Sequence, residues 1–398
     1  MNCINKHKAD CCGCTACAKI CAYGAINMQT DVLGFKYPIV DSKRCVDCGL
    51  CVKVCQFKNN YESFDVDTPV IYAFRNKDEE QVMRSQSGAA FWTIAQQFIK
   101  EGGVVYGCGF DNDFNVIHKR AVVLEELEDM RGSKYVQSDL LNTFNDAKED
   151  LKKGLKVLYT GTSCQIANIK SFVGNHLREN LYTLDLVCHG VPSPRIYKDY
   201  LETIRKKNKK VLTKFDFRDK TKGWKRSIQS FSFGEKIHYS TDYSRFFYSN
   251  LLLRECCYEC PYTNFNRTSD ISMADFWGWN KISDKFDDNK GVSLLLVNSC
   301  KGRELLNSVE NISYIMKIED REVCMQRNLE RPTFRNHLRS KFEEDYEKNG
   351  YDYVLVRLYE AGLFLSMLPY HMDQPGKVFG FLLNAIRILD EVEKCTRI

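Results

Sequence analysis

The sequence predicts an α+β chain in three parts: a small cysteine-rich unit at residues 1–62, an α/β unit at 67–330 and a helical region at 331–398. Three observations carry that division. One cysteine spacing occurs twice before residue 56, strand-like and helix-like runs alternate from residue 70 to 205, and helical periodicity dominates the end of the chain.

The first part is defined by Cys11-x-x-Cys14-x-x-Cys17-x-x-x-Cys21 and its copy Cys45-x-x-Cys48-x-x-Cys51-x-x-x-Cys55. Each resembles the bacterial ferredoxin run, whose fourth cysteine ligates the other cluster of the pair. Three thiolates in a tight loop grip three corners of a [4Fe–4S] cube, and the fourth arrives from elsewhere. The expected sets are Cys11, Cys14, Cys17 and Cys55 for one cluster, and Cys45, Cys48, Cys51 and Cys21 for the other. A zinc module would use two C-x-x-C pairs, and a disulfide scaffold would need an oxidising compartment. The proline that usually follows each run is Ala22 and Gln56 here. It shapes a turn and is not a ligand. Cys3 and Cys12 are off-pattern, and Cys12 is expected to be a spectator thiol beside a cluster. The unit is predicted to be a ferredoxin-like βαβ repeat, with residues 34–40 as a strand insertion.

Composition bounds the rest. The 398 residues are 44% hydrophobic and 27% charged, which supports a sizeable core and argues against disorder. Residues 1–10 carry no apolar leader, and no run approaches eighteen apolar residues, so neither secretion nor a membrane span is expected. Nineteen cysteines in that setting point to a reducing compartment, the cytoplasm. The formal charge of +5 counts thiols as neutral, whereas each cluster with its thiolates carries about −2. The basic tract at 205–210 follows a helical segment without interleaved aromatics, so it reads as a solvated helix end, not a nucleic-acid patch.

In the second part, residues 61–68 are a polar linker and 70–74 a strand. Residues 89–100 form an amphipathic helix, capped by Ser85 and Ser87 and ended by Gly102-Gly103. Strands follow at 104–106, 156–160 and 181–188, with helices at 140–153, 165–173 and 195–205. This order predicts a mostly parallel sheet covered by helices. Residues 211–300 are irregular and β-rich. In the third part, 377–392 is an amphipathic helix whose apolar side packs into a core or against a neighbouring protein chain.

Chemistry concentrates at the carboxyl ends of the strands, where open α/β sheets bind ligands. Cys164 follows one strand and Cys188 ends another, and Cys257-x-x-Cys260 lies downstream. Two lone thiols and one C-x-x-C make four ligands, enough for a third cluster. Three alternatives stay open at this point: buried structural thiols, a redox dithiol at Cys257 and Cys260, or a ligand role for Cys256. Residues 85–88 offer hydroxyls and free amides at a helix start, an anion site by type. Residues 131–138 place a cation and several donors in one turn. Either is equally a helix cap without ligand. No G-x-G-x-x-G follows a strand. Asp275 is a candidate proton acceptor, Trp277 a candidate stacking ring, and His189 a candidate proton donor; each is also a plausible structural group.

Together these segments resemble the beta-subunit family of coenzyme F420-reducing hydrogenases and dehydrogenases, to about residue 340. The resemblance rests on the twin cysteine runs, Ser87-Gly88, residues 132–138, 161–165, Cys188-His-Gly-Val-Pro192, Cys257-x-x-Cys260 and Ala274-Asp-Phe-Trp-Gly278. It implies that the α/β unit binds flavin, with FAD contacts at Ser87, Gly88, Ser133, Lys134, Tyr135, Gln137, Gly161 and Thr162. It also implies a third cluster on Cys164, Cys188, Cys257 and Cys260. Two departures stand out: Ala89 replaces a second glycine and Ser163 replaces a proline.

The expected protein is an iron–sulfur flavoprotein oxidoreductase. It would take electrons from an external donor, such as ferredoxin or a partner redox subunit, through the clusters to FAD. Hydride would then pass to an unidentified small molecule, F420 being one candidate. The alternative is an electron-transfer subunit with no substrate of its own. Structural clusters in a nucleic-acid-processing protein are disfavoured, because no nuclease or helicase motif is present.

Overall fold

The computed structural model describes residues 4–57, 61–65, 67–249, 253–321, 324, 361, 365, 368 and 375–396. The first cysteine run leads into α1 (Ala16–Lys19) and the second into α2 (Leu50–Val54). Between them, β1 (Ile26–Thr30) and β2 (Lys36–Val40) form an antiparallel hairpin pairing Ile26 with Val40. Asp31 builds its turn: Oδ1 accepts from the amides of Leu33 (3.0 Å) and Phe35 (2.9 Å). The order is therefore helix, hairpin, helix, and the flanking strands of a βαβ repeat are not among the described residues.

The second part is built on one eight-stranded sheet. In chain order its strands are β3 (Val70–Asn76), β4 (Val104–Phe110), β5 (Val116–Ala121), β6 (Val157–Thr162) and β7 (Leu181–Leu186). They are joined by β11 (Ile271–Asp275), β12 (Ser293–Val297) and β13 (Ser313–Ile318). The spatial order is β13-β3-β12-β11-β7-β6-β4-β5. Only β4, β6, β7 and β11 run parallel; β5 and the β12-β3-β13 flank are antiparallel. The expected mostly parallel sheet is thus a mixed one. The extra antiparallel strands come from residues 116–121 and 271–318, which periodicity alone left irregular.

Alternating side chains split the core between two faces. Tyr106, Tyr159, Val157 and Leu181 pack with the N-terminal unit, α5 (Thr143–Lys152) and α6 (Ser163–Val173). Val105, Leu158 and Leu184 pack on the opposite side with α4 (Ala90–Lys100). α3 (Glu79–Arg84) precedes α4. α4 starts with Ala89 at φ 67° and no side-chain cap, so the serines expected to cap it are engaged elsewhere. α7 (Pro194–Asn208) has the start its sequence promises, with Pro194 at the first turn and Ser193 Oγ accepting from the Ile196 amide at 3.2 Å. Its last turn holds Arg205, Lys206 and Lys207, so the basic tract is a helix end facing the negative pole of the dipole.

A smaller antiparallel sheet is built from β8 (Lys214–Asp216), β9 (Gln229–Phe233) and β10 (Lys236–Ser240), with β9 in the middle, and is followed by α8 (Asp242–Ser249). After β12 come α9 (Cys300–Asn307) and, near the end, α10 (Pro375–Thr396). α10 contains the amphipathic segment expected at 377–392; its Ala385, Ile388 and Val392 cluster with Ala361. The remainder of the predicted helical region, over most of 331–374, lies outside the described residues. No described helix is long and apolar enough to cross a membrane.

Candidate functional site

Four cavities carry the candidate chemistry. The outermost is lined by Cys45, Cys48, Cys51 and Cys21, with Tyr23, Val46 and Leu50 at its mouth. A second is lined by Cys11, Cys14, Cys17 and Cys55, with Cys12 and Asn168 in its wall. Each nest therefore takes three cysteines from one run and the fourth from the other, the grouping expected from the spacing. Amides of Ile4 and Ala25 donate to the sulfurs of Cys51 (3.2 Å) and Cys21 (3.4 Å). Such N–H···S contacts favour the thiolate. Burial, then the neighbouring thiols of Cys11 and Cys55, push the Cys17 thiol up to about 12. Sulfurs packed this closely need a cationic centre to hold them deprotonated, so the donor set fits a metal cluster.

Gln56 explains one departure from the run. Its backbone N–H donates to Asn168 Oδ1 at 3.1 Å, a bond that proline could not make. Its carbonyl accepts from Tyr262 Oη at 2.9 Å. The end of the second run is thereby tied to α6 and to the loop after α8.

The third cavity is lined by Cys164, Cys188, Cys257 and Cys260 together with Cys12 and Cys256. Cys164 sits in the first turn of α6, at the carboxyl end of β6, and Cys188 lies two residues past neighbouring β7. The C-x-x-C loop reaches them because the Arg254 amide donates to Val191 O (2.9 Å) and Leu253 bridges to Pro192. The structure thus brings the four separated cysteines together, in company with two further thiols.

The largest cavity, about 340 Å³, lies beside the third at the carboxyl ends of β6, β7 and β11. Ser87, Ser133, Lys134, Tyr135, Gly161, Thr162, His189 and Asp275 all line it. Gly88 and Gln137 do not. A Cβ on Gly88 would lie 2.1 Å from Phe74 O, so glycine there serves strand packing. Gln137 instead donates to Cys12 O (2.9 Å) and accepts from Arg254 (3.0 Å), facing the sulfur side. The anion site expected at residues 85–88 is closed. Ser87 Oγ donates to Val292 O (2.7 Å), the Gly88 amide donates to Ser293 Oγ (2.9 Å), and Ser85 accepts from Arg131 (3.0 Å). Lys134 is likewise engaged, donating to Asp129 O (2.6 Å) and Arg131 O (2.7 Å).

Residues 154–321 match the family model for the C-terminal part of the beta subunit of coenzyme F420 hydrogenase/dehydrogenase, and residues 10–59 match a 4Fe-4S dicluster domain. The match to the beta-subunit family thus covers residues 154–321, and the dicluster match lies ahead of it. A chain of the F420-reducing [NiFe] hydrogenase complex from Methanosarcina barkeri aligns at 16% identity with a TM-score of 0.47, covering 72% of this chain and 94% of that one. Among curated proteins nothing matches.

The two departures have different consequences. Ala89, where the resemblance implies glycine, is held at φ 67°, a conformation that strains any residue with a Cβ. Ser163, in place of proline, gains a hydroxyl that accepts from Arg267 at 2.7 Å. That fully buried arginine also pairs with Asp185.

Arg218 and His118 line the cavity without having been candidates from the sequence, and they stand beside Asp275 and Trp277, which were. Asp275 pairs with Arg218 and accepts from Trp224 Nε1 (3.3 Å). Burial would raise its carboxyl, but the Arg218 guanidinium outweighs burial and holds it below the usual range. A carboxylate so held positions Arg218 and is a poor proton acceptor. Trp277 stacks on Trp224 at 4.5 Å, so one face of its ring is already covered. Lys220 donates to the carbonyls of Val82 (2.6 Å) and Ser87 (2.8 Å) and so fastens the loop before α4. His118 Nε2 donates to Thr160 O (3.1 Å), and burial draws its pKa down to about 4, leaving a neutral ring.

Proposed function

We propose that this chain is an iron–sulfur flavoprotein oxidoreductase, with two clusters in the N-terminal nests, a third on Cys164, Cys188, Cys257 and Cys260, and FAD in the large cavity. The clusters supply one-electron chemistry, and a bound flavin supplies the conversion to two-electron transfer on a small substrate. The observation that carries this reading is the shared walls. Cys12 lines both the inner nest and the third cavity. Thr162, Cys188 and His189 line both the third cavity and the large one. The inner nest, the third cavity and the large one therefore adjoin in series through shared walls.

The large cavity suits a polar ring ligand. Buried atoms of four lining residues have no hydrogen-bond partner among the described residues: Gln86 Oε1, Trp92 Nε1, His118 Nδ1 and Arg218 Nε. Unsatisfied donors and acceptors together at one wall favour a guest carrying both. Ser133, Tyr135, Gly161 and Thr162 would frame it, and Arg218, steadied by Asp275, would face its electron-rich side. His189, packed against Phe247 at 5.1 Å, is the residue placed to hold a proton between the third cavity and the large one. The external donor would dock at the outer nest, where Cys48 is exposed and Tyr23, Val46 and Leu50 form an open apolar rim.

Anaerobic purification with iron, sulfide and flavin measured on one sample tests the reading. About twelve irons and one FAD per chain are expected. About eight irons with no flavin, even after reconstitution with FAD, would overturn it and leave a two-cluster carrier. The second reading, an electron-transfer subunit acting only through a partner, is favoured by the exposed outer rim. It predicts bound flavin that is reduced by dithionite but shows no turnover with F420 or ferredoxin until a partner is added.

A further inference from the structure

Three arginines are among the largest fully buried side chains: Arg218, Arg254 and Arg267. Two have carboxylate partners, Asp275 and Asp185. Arg254 has none within ion-pair distance among the described residues. Its Nε donates to Cys11 O (2.6 Å), Nη1 to Gln137 Oε1 (3.0 Å) and Nη2 to Lys36 O (2.8 Å). Nη2 also lies 3.7 Å from Cys11 Sγ, and the guanidinium stacks on Tyr37 at 4.2 Å.

A buried guanidinium surrounded by carbonyls and rings still carries a full charge, and an uncompensated charge inside a protein is strongly unfavourable. The only anionic groups the site can offer are its sulfurs. Arg254 touches the inner nest through Cys11 and lines the third cavity as well. The run is shaped to admit it: a Cβ on Gly13 would sit 2.7 Å from Nη1. At the outer nest, by contrast, Arg44 is exposed and donates to Tyr23 O at 2.8 Å, so it is not a buried counter-charge.

We propose that Arg254 is the built-in counter-charge of the inner sulfur nest, and that it sets the reduction potential of the cluster at Cys11 above that of the outer one. This rests on the dicluster assignment. When one electron arrives from an external carrier, the cluster and its thiolates pass from about −2 to about −3 with no bond made or broken. A fixed cation in a low-dielectric site stabilises the more negative state more strongly, so reduction is favoured where Arg254 stands. Electrons entering at the exposed nest are thereby drawn inward.

The test is a dithionite potential titration of the anaerobic full-length protein, followed by electron paramagnetic resonance, with iron and sulfide counted on each sample. Arg254→Gln is expected to lower one of the two dicluster midpoints at least tenfold in the one-electron equilibrium, about 59 mV, while the other stays in place. Arg254→Lys, which keeps the charge but not the fork, is expected to fall between. A loaded Arg254→Gln protein with both midpoints at or above wild type would overturn the proposal. If that variant does not load, Arg254→Lys decides: an unchanged or raised midpoint overturns it. Wild-type protein that holds no iron after reconstitution would instead defeat the dicluster assignment.

Discussion

Residues 11–55 surround two sulfur nests with helices of four and five residues and a single hairpin, whereas the large cavity rests on an eight-stranded sheet. The nests are lined by thiols that repel one another once ionised. The cavity is framed by groups already matched to one another, Arg218 with Asp275 and Lys134 with two carbonyls. The first region needs its guest in order to hold its shape, and the second is shaped before any guest arrives. Binding energy in the nests is folding energy; in the cavity it is recognition.

Stripping the iron would break the comparison most directly. Hydrogen exchange is expected to lose protection across residues 11–55 while β4, β6 and β7 keep theirs; equal loss in both would refute the contrast. Next in size comes the crossing of the ligand sets. Cys55→Ser should abolish the signal of the nest that contains Cys11, and Cys21→Ser that of the nest containing Cys45. Loss according to run instead of cavity would sink the grouping. In the cavity, Asp275→Asn leaves Arg218 buried without its carboxylate and should destabilise the chain by on the order of 3 kcal/mol in denaturant melts. An effect below about 1 kcal/mol would mean that Asp275 contributes little there.

Lys220, which fastens the loop before α4, gives a pH signature. Burial draws its pKa down to about 7 from the ordinary 10.5. Between those values the unfolded chain binds the extra proton, so stability should rise with pH through that window and fall on return toward 7. The slope is at most about 1.4 kcal/mol per pH unit. Lys220→Met should flatten it in melts taken at several pH values; an unaltered slope would assign the effect elsewhere. The smallest effect is Ala89→Gly. Relief of the positive φ, partly offset by glycine's backbone entropy, should stabilise the protein by less than about 1 kcal/mol. A drop in melting temperature would show that the Ala89 methyl matters more than its strain.

What the sequence revealed follows the same divide. The nests were legible because their chemistry is local: ligands three and four residues apart declare themselves, and even the crossing is a spacing rule. Cys164 and Cys188 were legible because strand ends are. The pairing behind the cavity wall was not, since Asp275 meets Arg218 only after residues 214–275 fold back over the sheet. The antiparallel flank was missed for a related reason. The run Ser293–Val297 is buried on both faces and carries no alternation to mark it as a strand. Gly88 and Gln137 were placed in the flavin wall by resemblance, and packing put them elsewhere. Arg254 stood three residues before a recognised cysteine, yet nothing in one dimension said that it reaches back to Cys11.

The exchange of fourth cysteines between the two runs has a consequence for how such a unit can be divided. Neither run is a module. Deleting residues 1–24 would remove three walls of one nest and the closing sulfur of the other, so no one-cluster protein can be obtained by trimming.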